Sequence, residues 1–155
     1  MNNPTCSFTG HREIPESEYS NIQLKLEGVI TMLIGHGVCD FLAGGALGFD
    51  TLAALTVLKL KNDYPHIRLK LILPCRDQAK TWPVTDKKIY SLILEQADEV
   101  VYVSEYYYSG CMHKRNRHLV DNSGYCVCYL RKNSGGTKWT VDYALKKDLQ
   151  VIMMV

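Results

Sequence analysis

The stretch Gly44-Gly45-Ala46-Leu47-Gly48-Phe49-Asp50 decides how this chain is read. It follows a short apolar run, Phe41-Leu42-Ala43, and opens an Ala/Leu-rich segment, Thr51 to Leu60. Strand, glycine turn and helix in that order present backbone N–H groups to a phosphate in nucleotide-binding folds. Glycine supplies positive φ and lets a ligand approach the backbone closely. A phosphate or ribose is therefore expected near Gly44, Gly45, Ala46, Gly48 and Asp50. The motif is not GxGxxG and does not follow the first strand, which argues against ordinary NAD(P) dehydrogenase binding. It lacks GK[ST] and so is not a P-loop.

Outward from this stretch, short apolar runs alternate with amphipathic segments. Strands are expected at Thr5–Thr9, Asp40–Ala43, Ile67–Leu73, Glu99–Val103, Tyr125–Tyr129 and Gln150–Met154. Helices are expected over Ser17–His36, Asp50–Asn62, Thr85–Gln96, Met112–Asn122 and Thr137–Lys147, from apolar spacing and from Gly or Pro at their ends. The strands are continuous apolar runs, as strands buried on both faces should be. Alternating strands and helices imply a three-layer, doubly wound α/β domain with a mainly parallel sheet. No linker or internal repeat divides residues 1–155, so a single domain is expected.

Composition is that of an ordinary globular protein: 46% hydrophobic and 22% charged residues over 155 positions. A net charge of +2 is too small to imply sequence-independent nucleic-acid binding. No apolar run approaches the ~20 residues of a membrane span. The start Met1-Asn2-Asn3-Pro4 has no signal pattern, and a cytoplasmic location without membrane contact is expected. The six cysteines form no CxxC pair and read as small core residues. Cys126 and Cys128 alternate as on a strand, so their thiols face the same way. A zinc site from Cys111, His113, Cys126 and Cys128 matches no common ligand spacing, and no metal or cofactor is expected.

Ligands in doubly wound folds bind beyond the carboxyl ends of the strands, so the loops there carry the functional reading. After the first strand, Gly10-His11-Arg12 joins a turn to two potential cations, which suits phosphate or carboxylate. Asp50 could cap its helix or accept a ribose hydroxyl. After the third strand, Cys75 lacks a general-base partner and reads as structural. Gln78 and Trp82 nearby could contact a base or simply pack.

After the fourth strand, Tyr106-Tyr107-Tyr108 precedes a helix that begins with Lys114, Arg115 and Arg117 and ends near Asp121. That order opposes the helix dipole at a cost of ~0.3–1 kcal/mol per charge, which an anion at the helix start would offset. Alternatively, the cations could pair with Glu105 or Asp121. After the fifth strand, Ser134-Gly135-Gly136-Thr137 repeats the glycine-then-helix pattern, with Thr137 available as a cap. Two such loops on one sheet edge are more specific than either alone.

Thr5-Cys6-Ser7-Phe8-Thr9-Gly10-His11-Arg12, the Gly44–Asp50 motif, Arg115-Asn116-Arg117 with Val120-Asp121, and Gly135-Gly136-Thr137 together resemble the YpsA-like branch of the SLOG superfamily, over nearly the whole chain. SLOG domains are Rossmann-like and are related to DprA, the DNA-processing protein, and to the "Lonely guy" phosphoribohydrolases. The Gly44–Asp50 segment is especially similar to the DprA glycine motif. The resemblance implies binding of a small phosphorylated, nucleotide-like ligand. The phosphoribohydrolases place a catalytic glutamate shortly after PGGxGT. Here Lys138, Trp139, Thr140, Val141 and Asp142 follow instead, and the proline is absent.

Three functions are weighed. In the first, the protein binds a nucleotide-derived ligand. Backbone N–H groups of Gly44–Gly48 and Gly135–Thr137 would hold phosphate, Arg12, Arg115 and Arg117 would neutralise it, and Asp50 or Asn116 would hold ribose. The second is cleavage of a nucleotide N-glycosidic bond using Asp50, Asp121 or Asp142. The third is DprA-like binding of single-stranded DNA through Tyr106–Tyr108 and Lys114–Arg117, although the low net charge makes nucleic acid the less expected partner. Related folds often dimerise through helices, so a homodimer is kept among the expected partners.

Overall fold

The computed structural model describes residues 3–155. Six strands form one sheet: β1 Thr5–Gly10, β2 Asp40–Ala43, β3 Arg68–Leu73, β4 Glu99–Tyr102, β5 Tyr125–Tyr129 and β6 Gln150–Met153. Five helices separate them: α1 Glu16–Gly35, α2 Phe49–Leu60, α3 Val84–Gln96, α4 Cys111–Asp121 and α5 Gly136–Lys146. The expected elements are all present, with ends moved by a residue or so. Three helix starts beside glycines come one residue early, at Phe49, Cys111 and Gly136. Each follows a glycine with positive φ, Gly48 at +78°, Gly110 at +98° and Gly135 at +92°.

Every strand pair is parallel, in the order β4-β3-β2-β1-β5-β6. The chain builds outward from β1 to β4, crosses back, and continues on the other side of β1 with β5 and β6. The order reverses between β1 and β5, where Thr9 pairs with Cys128 and Gly10 with Tyr129. A reversal point opens a crevice at the strands' carboxyl ends, because the loops on either side leave in opposite directions.

The period of two along each strand sorts side chains to the two faces. Phe8, Phe41, Leu69, Leu71, Leu73, Val127 and Tyr129 join the larger core with Ile22, Leu26, Ile30 and Leu33 of α1 and Phe49, Leu52 and Val57 of α2. Helix α2 packs on α1 and α3, while α4 packs on α5. On the opposite face, Cys126 and Cys128 meet Val120, Val141 and Ala144, and Leu42 and Ile72 meet Leu119. The Cys126 and Cys128 sulfurs lie 3.5 Å apart, so the two thiols do face the same way. Phe8 stacks on Phe41, and Phe49 on Tyr129, which ties the ends of β1, β5 and α2 together directly beneath the crevice. No helix among the described residues is long and apolar enough to cross a membrane.

Candidate functional site

A cavity of about 440 Å³ opens at the reversal point, a volume in the range of small-molecule sites. Its walls are the end of β1 (Phe8 to Arg12), Ala46 and Asp50 before and within α2, one face of α4, and the loop into α5 from Lys132 to Thr137. The α4 contribution is Met112, Arg115, Asn116 and Leu119. These sit at i, i+3, i+4 and i+7, a single stripe of that helix.

Gly44–Asp50 builds this site mostly from beneath. Phe49 N–H, the first donor of α2, is taken by the His11 carbonyl at 3.1 Å. Ala46 N–H is directed to Asp50 Oδ2 at 3.3 Å. The Gly45 carbonyl accepts from Gln78 Nε2 at 3.4 Å. A side chain at Gly48 would overlap the Arg12 carbonyl, and a methyl at Gly44 would lie 2.7 Å from Arg115 Nη1 and 2.9 Å from Asp50 Oδ2. The glycines therefore admit neighbouring protein groups, and Gly44, Gly45 and Gly48 do not line the cavity. Asp50 does not cap α2, since Gly48 is the cap residue.

Asp50 and Arg115 form the buried floor, each only 5% exposed. Burial pushes the Asp50 carboxyl up to about 6, against the opposing influence of Arg115, the Ala46 N–H and Arg12. Burial likewise lowers the Arg115 pKa, while Asp50 works to raise it. Arg115 donates from Nη1 to the Gly44 carbonyl and from Nε to Asn116 Oδ1 at 2.8 Å. Asp50 Oδ1 is buried without a hydrogen-bond partner among the described residues. Such atoms are rare because desolvation without a partner is costly.

The open helix start at the cavity belongs to α5. Its cap residue is Gly135, and no side chain caps it. Gly136 is the first helical residue, and an added Cβ at Gly135 or Gly136 would meet nothing within 4 Å. Thr137, expected to cap, sits inside the first turn. Arg12 and Lys132 line the same cavity with exposed side chains. Among the described residues, the salt bridges engage neither of them.

His11 lines the cavity but does not serve as a cation. Its Nε2 accepts from the backbone N–H groups of Arg131 at 2.8 Å and Lys132 at 3.2 Å, which requires an unprotonated nitrogen. Burial and then the Lys132 charge hold its pKa below the usual value. Arg117 is exposed on another side of α4 and acts on Tyr143, whose hydroxyl donates to Asp121 Oδ1 at 2.8 Å. Glu105 pairs with Arg76 at 2.6 Å rather than with α4. Gln78 also donates to Tyr90, on whose ring Trp82 packs edge-on, so both residues have packing roles. The Cys75 thiol is pushed up to about 11, by burial and then by Asp77.

Two side cavities adjoin through shared residues. One, of about 640 Å³, shares His11, Arg12 and Lys132 and continues to Arg131 and Tyr129. The other, of about 220 Å³, shares Arg12 and Met112 and reaches Tyr107 and Cys75. Tyr106 and Tyr107 are 77% and 66% exposed. Among the described residues, no group of three or more His, Cys, Asp or Glu is placed to hold a metal ion. Sequence reasoning missed Lys132 and Met112. The helical stripe through Arg115 would have indicated Met112, and the position of Lys132 just before the second glycine pair would have indicated it.

A family model described as "YspA SLOG family" matches residues 10–154. The chain belongs to the YpsA family of SLOG proteins. Within curated sequences, this YpsA-family chain is 36% identical over 132 residues to a UPF0398 protein of Halalkalibacterium halodurans, covering 83% of this chain and 70% of that one. It is 35% identical over 135 residues to the uncharacterised SPbeta prophage-derived protein YoqJ of Bacillus subtilis, covering 79% of each. In fold it matches DNA processing protein A of Streptococcus pneumoniae, with a TM-score of 0.70 at 15% identity over 97% of this chain and 50% of that one. It also matches the Helicobacter pylori protein, with a TM-score of 0.67 at 18% identity over 98% and 65%. The YpsA-family chain thus spans half to two thirds of the length of these neighbours, and the likeness is one of fold. The Helicobacter pylori structure is described by its single-stranded DNA binding mode.

Proposed function

We propose that this protein binds a nucleotide or nucleotide-derived phosphorylated ligand in the crevice between β1 and β5. One observation carries the reading: the uncapped, unobstructed start of α5 faces a cavity that Arg12 and Lys132, two cations without a salt bridge among the described residues, also line. Backbone N–H groups at a helix start and nearby cations are what a phosphate requires. In this reading Gly135, Gly136 and Thr137 hold the phosphate, Arg12 and Lys132 neutralise it, and Asn116 and Asp50 meet the rest of the ligand. Arg115 contributes charge from below. Calorimetry against nucleoside mono-, di- and triphosphates, NAD and ADP-ribose tests it. Heat of binding is expected from at least one, with competition by inorganic pyrophosphate. Folded protein that binds none of them refutes the reading.

A second reading, single-stranded DNA binding, draws on the exposed Tyr106 and Tyr107, the latter lining one cavity with Arg12, and on the described DNA binding of the Helicobacter pylori neighbour. Gel shifts on oligonucleotides should then weaken steeply with salt. An enzymatic reading rests on Asp50, among the described residues the only carboxylate lining the crevice cavity, whose value of about 6 suits acid–base work near neutral pH. Release of free base from nucleoside monophosphates, followed by chromatography, tests it. A homodimer would bury Leu24 of α1 or Val84 of α3, both largely exposed, and light scattering decides that point.

A further inference from the structure

The part of the lining formed by Asp50 and Asn116 is chemically unlike the start of α5. Asp50 brings a carboxylate there, which repels a second phosphate. Among the described residues its Oδ1 has no partner, and its Oδ2 is held by a single long hydrogen bond of 3.3 Å from Ala46. The carboxyl torsion of aspartate is soft, so the group can turn its free oxygen toward the cavity it lines. Asn116, lining the same cavity from α4, uses its Oδ1 to accept from Arg115 Nε. That bond orients the amide and leaves Nδ2 as the end available to a ligand. One strong acceptor and one donor lining the same cavity match two adjacent hydroxyls, the first donating and the second accepting.

We infer that Asp50 and Asn116 form a sugar-diol subsite that selects ribonucleotide ligands over 2′-deoxyribonucleotides. The inference rests on the nucleotide reading above and narrows it. It places single-stranded DNA outside this part of the crevice, because DNA has no 2′-hydroxyl to satisfy Asp50. The groups facing Asp50 are Arg115 from α4, Arg12 from the loop after β1, the Ala46 N–H and, across the sheet, Cys126 of β5. A hydroxyl donor adds to the groups that favour the ionised carboxylate, so binding near pH 6 releases protons.

The test is calorimetry with the four ribonucleoside diphosphates and their four 2′-deoxy counterparts. Native protein, Asp50→Asn and Asn116→Ala are compared, with inorganic pyrophosphate as an independent probe of the phosphate end. Native protein should prefer the ribonucleotide by about 10-fold or more, the range for a hydrogen bond to a charged group. The preference should fall to about 3-fold or less in Asp50→Asn, and in Asn116→Ala as well, while pyrophosphate affinity is retained. Titration at pH 6 in two buffers of different ionisation heat should show proton release for native protein and none for Asp50→Asn. Equal affinity of native protein for ribo- and deoxyribonucleotides overturns the subsite and leaves the nucleotide reading standing. Pyrophosphate binding with no nucleotide binding overturns both. A ribose preference unchanged in the two variants, checked as folded by circular dichroism, overturns the assignment to these residues.

Discussion

Replacing Gly48 with alanine tests whether the glycine motif serves the protein's own packing. Gly48 has φ +78° and ψ −122°, a combination that residues with a side chain rarely adopt. Holding alanine there costs about 1–3 kcal/mol of strain. The new methyl would lie 2.6 Å from the His11 carbonyl oxygen and closer still to that of Arg12. Neither is the end of a flexible side chain, so the loop after β1 must move, at ~1–3 kcal/mol by comparison with overpacked cores. Alanine recovers about 0.4–1 kcal/mol by restricting the unfolded chain. The expected net loss is therefore ~2–5 kcal/mol, a large part of a typical domain stability of ~5–15 kcal/mol. Urea unfolding followed by circular dichroism measures it, and the thermal midpoint should drop by roughly 2–4 °C per kcal/mol. Gly136→Ala is the control, since a Cβ there meets nothing within 4 Å and the φ is not positive. It should change stability by less than ~0.5 kcal/mol. A Gly48→Ala loss below ~0.5 kcal/mol, or an equal loss in the control, refutes the reasoning.

Asp50 makes the protein favour acid at one site. Its folded value of about 6 lies above the ordinary 3.8, so this stabilising contribution is complete below the unfolded value and is lost as pH rises through 6. The loss approaches ~3 kcal/mol. It should appear as a rise in native stability relative to Asp50→Asn between pH 7.5 and 4.5 in urea titrations, and a flat difference would contradict it. Asp98 runs the other way: although burial raises it, hydrogen bonds from Lys61 and the Leu69 N–H bring its pKa below normal. Its contribution is present above the unfolded value and lost as pH falls through the folded one, and Asp98→Asn should flatten the acid limb of unfolding. Arg115→Ala removes the charge that faces Asp50 and should cost about 3–5 kcal/mol in the same assay; a surface-like loss under ~0.5 kcal/mol would show that the buried charge is not needed. The Cys75 thiol, raised to about 11 and buried, should resist a disulfide reagent at pH 8 in native protein and react after unfolding.

The helices and strands were legible because their apolar periods are local. The site was legible in part. Arg115 and Arg117 read alike in the sequence, yet residues two apart on an α-helix point about 200° away from each other. Only Arg115 shares a stripe with Met112, Asn116 and Leu119, and Arg117 is left outside. His11 beside Arg12 reads as a second cation. Its role as an acceptor depends on Arg131 and Lys132, which parallel pairing of β1 with β5 brings alongside.

The sequence by itself determined the α/β alternation, the strands buried on both faces, and the glycine turns that break into helices. Each of these follows from residue type and short-range spacing. Tertiary structure alone decided what the glycines are for. Gly44–Asp50 and Gly135–Thr137 look equivalent as strings. The first is filled by the chain's own groups, because β1 ends beside α2 and carries the His11 and Arg12 carbonyls onto it. The second stands open, because β5 adjoins the point where the strand order reverses and nothing folds over it. Whether a helix start meets protein or solvent depends on which strand lies next to it, and that neighbour comes from a distant part of the chain: His11 reaches Phe49, and Gly10 pairs with Tyr129.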